Sequence, residues 1–422
     1  MWIKKNKTVI IILLSIFIIG GSYLIYYFRD TIFEPKWEIV DELDGNIFPS
    51  IVLSLAKSDS SIISPVDSNF IGNVKSGFAI KIENQKANSN VRILLDESEF
   101  YNSTTSEFKL PEKDKIYYVY PNVVWKYEKL QNNQQPTPLD VSLQVSLDGK
   151  DLGHDSRTFS VRGINECLLG YKDKNSKYHD TGIFFAAYVN EDHPMIDKIL
   201  REALDTKIVR RFQGYQAKDK ENVKKQVYAI WYALQKRNFK YSSISKTSLS
   251  SDMIFSQRVR TLDNSLESSQ INCIDGSVLF ASFLRAINID PIIVRIPGHV
   301  FIGFYLDKKH TEKMFLETTL IGDIDLEEYA TQDQLDEALV YEQIQAEIAD
   351  TIPNDSVVNN SIIKNNQKLS QGQISKKTFD FAIEDANQRY LKHEKYFGTT
   401  KPNYMFLEIN NNTRKIIQPI GK

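Results

Sequence analysis

The sequence predicts an α+β protein in three parts: an N-terminal transmembrane helix, an antiparallel β-sandwich and a C-terminal α+β domain. Three observations lead to this prediction. A long uncharged segment lies near the N-terminus. Residues 37–162 contain short segments in which apolar and polar residues alternate. Residues 181–422 contain both apolar residues at helical spacing and short apolar runs suited to strands. The chain has 422 residues, which is enough for one to three domains that each bury a core.

The uncharged segment runs from Thr8 to Phe28. Its length of about 21 residues is sufficient to cross roughly 30 Å of hydrocarbon as a helix. Three lysines precede the segment and a single arginine closely follows it, so the positive-inside rule predicts a single-pass membrane protein. Residues 1–30 would form a cytoplasmic stub and the membrane helix, with the main domains outside, in the periplasm or at the cell surface. A cleaved signal peptide is the alternative, ranked second because no small-x-small site follows.

Residues 37–162 are typical of a β domain. Residues 141–147 alternate strictly between apolar and polar side chains, and the Asp148-Gly149 pair then marks a turn. Several short strands separated by polar loops favour an antiparallel sandwich of immunoglobulin-like type. No catalytic pattern is evident here, so an accessory or spacer role is expected, with ligand binding through loops as an alternative. Residues 163–180 are expected to be a linker.

Charge and cysteine content narrow the function classes. The formal net charge is −2 with 25% charged residues, which argues against nucleic acid as the main partner. Two cysteines, Cys167 and Cys273, do not make a disulfide framework, although pairing between them stays open. The six histidines show no paired Cys/His spacing, so neither a metal site nor another cofactor is expected. Arg258 and Arg260 are expected to be surface charges rather than substrate contacts.

Residues 269–319 contain the residues suited to catalysis. From Cys273 onward, apolar residues recur at helical spacing, and Asn272 is suited to the N-cap. The free N–H groups and the dipole at a helix N-terminus favour a thiolate and can hold the oxyanion of a tetrahedral intermediate. A buried, inert cysteine is the commoner fate of a free thiol, so the neighbouring residues decide between the two interpretations.

Those neighbours are His299 and Glu317. Strands are predicted at residues 292–296, 300–305 and 314–316, with a Pro-Gly turn between the first two. His299 stands at the start of the second strand, where a hairpin could bring it beside Cys273 as a base. Glu317 ends the third strand and could orient the imidazole through its ring N–H.

Three segments together resemble the transglutaminase-like superfamily of papain-type folds: Asn-Cys-Ile-Asp-Gly, Pro-Gly-His-Val-Phe-Ile-Gly-Phe-Tyr and Leu-Glu-Thr-Thr. The resemblance covers roughly residues 224–319. It implies that Cys273 is the nucleophile and His299 the base, with Glu317 at a position where the family usually has Asp. It also implies an upstream side chain that completes the oxyanion hole, for which Gln270 is the nearest candidate. Residues 181–422 would then form a transglutaminase-like domain with a C-terminal helical extension.

The sequence therefore predicts a membrane-anchored, extracytoplasmic thiol enzyme that attacks peptide or protein amides through a thioester. Transfer of the acyl group to water would make it a peptidase or amidase, whereas transfer to an amine would make it a crosslinking enzyme. The alternative is a catalytically silent cell-surface binding or scaffold protein with the same fold. The enzyme is favoured because both the nucleophile and the base are present.

Overall fold

The computed structural model describes residues 35–58, 68–244, 249, 251–337, 340, 369–399, 401 and 403–421. Within these ranges the chain divides into two compact units. The first unit comprises residues 35–45, 68–126 and 138–159. The second unit comprises residues 46–58, 127–137 and the described residues from 160 onward.

The strands are mostly short and occur in both units. In chain order they are β1 (Trp37–Val40), β2 (Asn46–Ile47), β3 (Phe70–Gly72), β4 (Ala79–Asn84), β5 (Ser89–Leu95), β6 (Tyr101–Asn102), β7 (Thr104–Leu110), β8 (Lys115–Tyr120), β9 (Val124–Trp125), β10 (Thr137–Leu147), β11 (Lys150–Val161), β12 (Glu166–Lys172), β13 (Tyr178–Asp180), β14 (Lys240–Tyr241), β15 (Ile254–Arg258), β16 (Gln270–Ile271), β17 (Pro291–Ile296), β18 (His299–Tyr305), β19 (Lys313–Leu316) and β20 (Met405–Glu408).

The α-helices of the described residues lie in the second unit. They are α1 (Pro49–Ser54), α2 (Tyr127–Asn132), α3 (Pro194–Asp205), α4 (Lys220–Lys236), α5 (Leu262–Ser268), α6 (Cys273–Ala286), α7 (Gln371–His393) and α8 (Asn411–Ile416), and residues 332–337 are helical as well. Short 3-10 helices are Val74–Ser76, Gly182–Tyr188, Thr318–Gly322, Leu326–Glu328 and Glu394–Tyr396.

The first unit buries the apolar faces of its main sheets. One sheet has the order β1-β4-β8-β3, in which β3 runs parallel to β8 and the other pairs are antiparallel. In the other sheet, β5 lies between β10 and β7 and is antiparallel to both. Val91, Ile93 and Leu95 point to the buried face of β5 because side chains alternate along a strand. The parallel β3–β8 pair departs from the purely antiparallel sandwich that the sequence predicts.

The second unit is built around an antiparallel sheet with the order β19-β18-β17-β20. Helix α6 packs on β17 and β18, and α7 packs on β19. Buried side chains from the sheet and from α7 form one cluster, in which the rings of Phe315 and Tyr390 stack with centroids 4.1 Å apart. Because β18 begins at His299 and β19 ends just before Glu317, these two residues meet at one end of the sheet.

Residues 163–180, expected to be a linker, contain two strands of a sheet with the order β13-β12-β15. Strand β12 is antiparallel to both neighbours. Cys167 and Leu168 are consecutive and both almost fully buried. A strand that is covered on both faces lacks the alternation that identifies a half-exposed strand in a sequence.

The transmembrane part of the predicted fold is not supported. The segment from Thr8 to Phe28 lies outside the described residues, and among those described no helix is long and apolar enough to cross a membrane. The longest described helix, α7, has 23 residues but carries charges such as Lys376 and Asp380 along its length. The fold class is therefore corrected to a mixed α/β arrangement with several sheets. The predicted single-pass localisation, with a cytoplasmic N-terminus and extracytoplasmic main domains, is likewise not supported.

Candidate active site

Cys273 is the first residue of α6, and 9% of its surface is exposed to solvent. Asn272 caps this helix, because its side-chain oxygen accepts hydrogen bonds from the N–H groups of Ile274 at 2.9 Å and Asp275 at 2.8 Å. Asp275 in turn accepts a bond from the N–H of Asn272 at 3.1 Å, which completes a capping box. The Asn-Cys-Ile-Asp sequence therefore holds the thiol at the positive end of the helix dipole.

Asp275 also joins the start of α6 to the chain before α5. Arg260 donates to it twice, from the backbone N–H at 2.8 Å and from Nη1 at 2.5 Å. Burial raises the pKa of the Asp275 carboxyl, while the hydrogen bonds from Arg260 and Asn272 act in the opposite direction. Arg260 is only 8% exposed, unlike the surface charge expected from the sequence. A buried charge requires such partners, so this ion pair supports the position of the thiol.

The imidazole of His299 connects the thiol to a carboxylate. Its Nε2 lies 2.5 Å from Oε2 of Glu317, and Cys273 is close enough to the ring to raise its pKa. Because Nε2 faces the carboxylate, Nδ1 is the ring nitrogen left to face the thiol. The structure thus brings together three residues that the sequence singles out, from the start of α6, the start of β18 and the end of β19.

Glu317 is held at both carboxylate oxygens and is 1% exposed. Oε1 accepts hydrogen bonds from the N–H of Thr319 at 3.2 Å and from its hydroxyl at 2.7 Å. Oε2 faces His299 and lies 3.8 Å from Nε of Arg389 on α7. These contacts fix the carboxylate so that the glutamate side chain reaches the imidazole.

The pKa of His299 is raised to about 9. Burial lowers it, but hydrogen bonds to Cys273 and Glu317 and the negative charges of the same two groups outweigh that effect. Because the folded pKa exceeds the ordinary value of 6.5, the charged imidazole stabilises the fold fully below about pH 6.5. That contribution is lost as the pH rises through about 9. At neutral pH the site therefore places an imidazolium beside the thiol.

Replacing Glu317 by glutamine is expected to lower the pKa of His299 by about one to three units, because the neighbouring negative charge is lost. An NMR titration of the ¹³C-labelled histidine rings, with the His299 signal assigned from His299→Asn, measures the change. The exposed Glu328→Gln variant is the matched control and should leave the pKa unchanged. A His299 pKa near 6.5 in the unmodified protein, or one that responds equally to both variants, would contradict this account of the site.

The structure does not show Gln270, the expected contributor to the oxyanion hole, at the thiol. It is exposed on the two-residue strand β16, and within the described part of the chain its side chain has no hydrogen bond. Tyr241 is the nearer candidate, since β14 pairs in parallel with β16. Burial raises the pKa of the Tyr241 hydroxyl, and the charges of Cys273 and Glu317 raise it further. The phenol therefore keeps its proton, and it lies near enough to the thiol for the charge of Cys273 to affect its pKa.

The helix cap determines which backbone groups can bind an oxyanion. The N–H groups of Ile274 and Asp275 already bond to the side chain of Asn272. Among the described residues, no acceptor is found for the N–H of Cys273 itself. This N–H is thus a backbone donor that remains available to an oxyanion formed at the thiol.

Gly276 allows α6 to approach the chain that follows Glu317. A Cβ at this position would lie 2.6 Å from Oγ1 and 3.0 Å from Cβ of Thr318. Gly276→Ala is therefore expected to lower the free energy of unfolding by about 1–3 kcal/mol. It should also slow alkylation of Cys273 by about tenfold, because the thiol moves relative to its base. Urea unfolding and iodoacetamide labelling measure the two effects.

Gly372→Ala provides a matched helical control. Its nearest neighbour would be the Ser370 hydroxyl at 3.9 Å, so alanine should fit and stabilise the helix by at most about 1 kcal/mol. If Gly276→Ala behaved like this control in both measurements, close approach at Gly276 would not be what aligns the site.

Neither a metal cluster nor a known relative identifies this site. Within the residues that the structure describes, no group of three or more His, Cys, Asp or Glu side chains could hold a metal ion. Comparisons of the chain with protein-family models, curated proteins and solved structures found no match. The resemblance to the transglutaminase-like superfamily thus depends on the sequence segments quoted above.

Proposed function

We propose that this chain is a thiol enzyme that acts on peptide or protein amides through Cys273, His299 and Glu317. The observation that carries the proposal is the engagement of one imidazole by both a thiol at a helix N-terminus and a buried carboxylate. A nucleophile, a base and a group that orients the base are the minimum set for covalent acyl transfer.

The first half-reaction forms a thioester. With the proton of the thiol–imidazole pair already on His299, the thiolate of Cys273 attacks the amide carbonyl carbon to form a C–S bond. The N–H of Cys273 and the hydroxyl of Tyr241 donate to the resulting oxyanion. As the tetrahedral intermediate collapses, the C–N bond breaks and His299 gives its proton to the departing amine.

The second half-reaction releases the acyl group. His299 removes a proton from water or from a primary amine, which attacks the thioester carbon. The C–S bond then breaks, and the product is a carboxylic acid or a new amide. Glu317 keeps the imidazole oriented throughout and balances its positive charge.

The low accessibility of the thiol limits the shape of substrate that can reach it. Cys273 is 91% buried, since only 9% of its surface is exposed, and the side chain of His299 is 19% exposed. A folded protein surface cannot reach such a thiol, whereas a side-chain amide or an extended segment can. We therefore expect a slender amide donor, such as a glutamine side chain or an unfolded peptide.

A transfer assay tests the proposal. The full-length chain is incubated with glutamine-containing peptides and a fluorescent primary amine, and mass spectrometry follows amine incorporation, deamidation and backbone cleavage. Amine incorporation identifies a transferase, and either of the other products identifies a hydrolase. Cys167→Ala should retain the activity, Cys273→Ala should abolish it, and Tyr241→Phe should lower it by about 100-fold or more. Absence of any product above the Cys273→Ala level, across the peptide set, would overturn the proposal.

A further inference from the structure

A polar cavity of about 620 Å³ lies in the second unit, beside the chain that leads into α6. Its volume falls within the range of roughly 300–1,000 Å³ that is usual for ligand sites. Most ligand sites are predominantly apolar, whereas this one is lined by amides and charged groups. They include Gln134, Asn165, Asn264, Arg258, Arg260 and Glu267. A ligand of this cavity must therefore be polar.

Arg258 contributes a positive charge and an unsatisfied hydrogen-bond donor. Its Nε is buried, and no hydrogen-bond acceptor for it exists among the described residues. Glu166 lies opposite Arg258 on the neighbouring strand, but its carboxylate accepts two hydrogen bonds at 2.9 Å from Arg162 instead. Among the described residues no carboxylate forms an ion pair with Arg258, so the part of its guanidinium that lines the cavity can bind an anionic group.

Arg260 adds a second guanidinium that is fixed in place. Its Nη1 bonds to the buried Asp275 at 2.5 Å, and its side chain forms part of the cavity wall. The carboxylate in the lining, Glu267, is exposed to solvent, whereas the Nε of Arg258 is not. Solvent therefore screens the charge of Glu267 more strongly than the charges of the two guanidinium groups.

We propose that this cavity binds a small polar organic anion. The guanidinium groups of Arg258 and Arg260 would hold its carboxylate or phosphate group, for which a planar fork of N–H donors is well suited. The amides of Gln134, Asn165 and Asn264 would bond its hydroxyl or amide groups. Because this assignment requires no chemistry at the thiol, it stands independently of the function proposed above.

Calorimetric titration of the full-length chain tests the proposal with two probes, citrate and inorganic phosphate. Ionic strength is held constant with chloride, so that general screening does not imitate binding. Saturable binding of citrate, of phosphate or of both is expected, and the preferred probe identifies the anionic group. Absence of saturable binding by both probes would overturn the proposal.

Charge-matched variants locate the binding. Arg258→Gln should lower the affinity for the preferred probe by at least about tenfold, because a charge-assisted hydrogen bond is lost. Arg211→Gln removes an exposed arginine of the same unit and should change affinity by less than about twofold. If Arg258→Gln fails to fold, Asn264→Asp replaces it by adding a negative charge to the cavity wall, which should weaken binding similarly. Affinity that is unchanged by the cavity variant, or that falls equally in Arg211→Gln, would overturn the proposal.

Discussion

Replacing His299 by alanine is expected to slow alkylation of Cys273 by about tenfold at pH 6. An ordinary thiol has a pKa near 8.5 and is roughly 0.3% ionised at this pH, whereas a thiol beside an imidazolium reacts largely as the thiolate. The lower intrinsic nucleophilicity of such a thiolate reduces the gain from more than about 100-fold to about tenfold. Iodoacetamide labelling followed by peptide mass spectrometry measures the rate.

Internal and matched controls accompany this measurement. Cys167 is fully buried and burial raises the pKa of its thiol, so it should stay unlabelled in every sample. His179→Ala removes another imidazole of the second unit, one whose Nε2 lies 2.9 Å from Asp173, and should leave the Cys273 rate unchanged. Equal rates in the unmodified protein and in His299→Ala would show that His299 does not activate the thiol.

Replacing Asp275 by alanine is expected to lower the free energy of unfolding by about 3–5 kcal/mol. The carboxylate is fully buried, and its removal leaves the buried guanidinium of Arg260 without its anion. The capping interaction with the N–H of Asn272 is lost as well. Urea unfolding at pH 7, followed by circular dichroism, measures the loss.

Two further variants distinguish the loss of the buried ion pair from the general effect of removing a carboxylate. Asp380→Ala removes an exposed carboxylate that pairs with Lys376 on α7 and should cost less than about 1 kcal/mol. In the double variant Asp275→Ala with Arg260→Met, part of the lost stability should return, because no unpaired charge remains buried. A cost for Asp275→Ala no larger than that for Asp380→Ala would contradict the structural role assigned to this pair.

Local patterns in the sequence were sufficient to predict the elements that carry the site. Helical spacing predicts a helix that begins at Cys273, and α6 begins there. The strands predicted at 292–296, 300–305 and 314–316 agree within one residue with β17, β18 and β19. Each of these elements has a periodicity or a turn signal within its own few residues, which is the information that a single sequence contains.

Contacts between distant residues could not be predicted in this way. Tyr241 lies opposite Ile271, two residues before Cys273, because β14 pairs in parallel with β16, and no adjacent turn in the sequence indicates this pairing. Arg260 reaches Asp275 across the whole of α5, so its burial depends on tertiary packing. The sequence predicts a linker where β12 lies because most residues of this strand are buried and do not alternate.

Acylation of the intact protein by an activated ester distinguishes an acyl-transfer thiol from an inert one. The full-length chain is mixed with p-nitrophenyl acetate at pH 7, quenched in acid at short times and analysed by intact-mass and peptide-mass spectrometry. We expect one acetyl group on Cys273, none on Cys167, and formation slower by about threefold or more in His299→Ala. Acetylation that avoids Cys273, or that proceeds there at the same rate without His299, would contradict the assignment of a thiol acyl-transfer site.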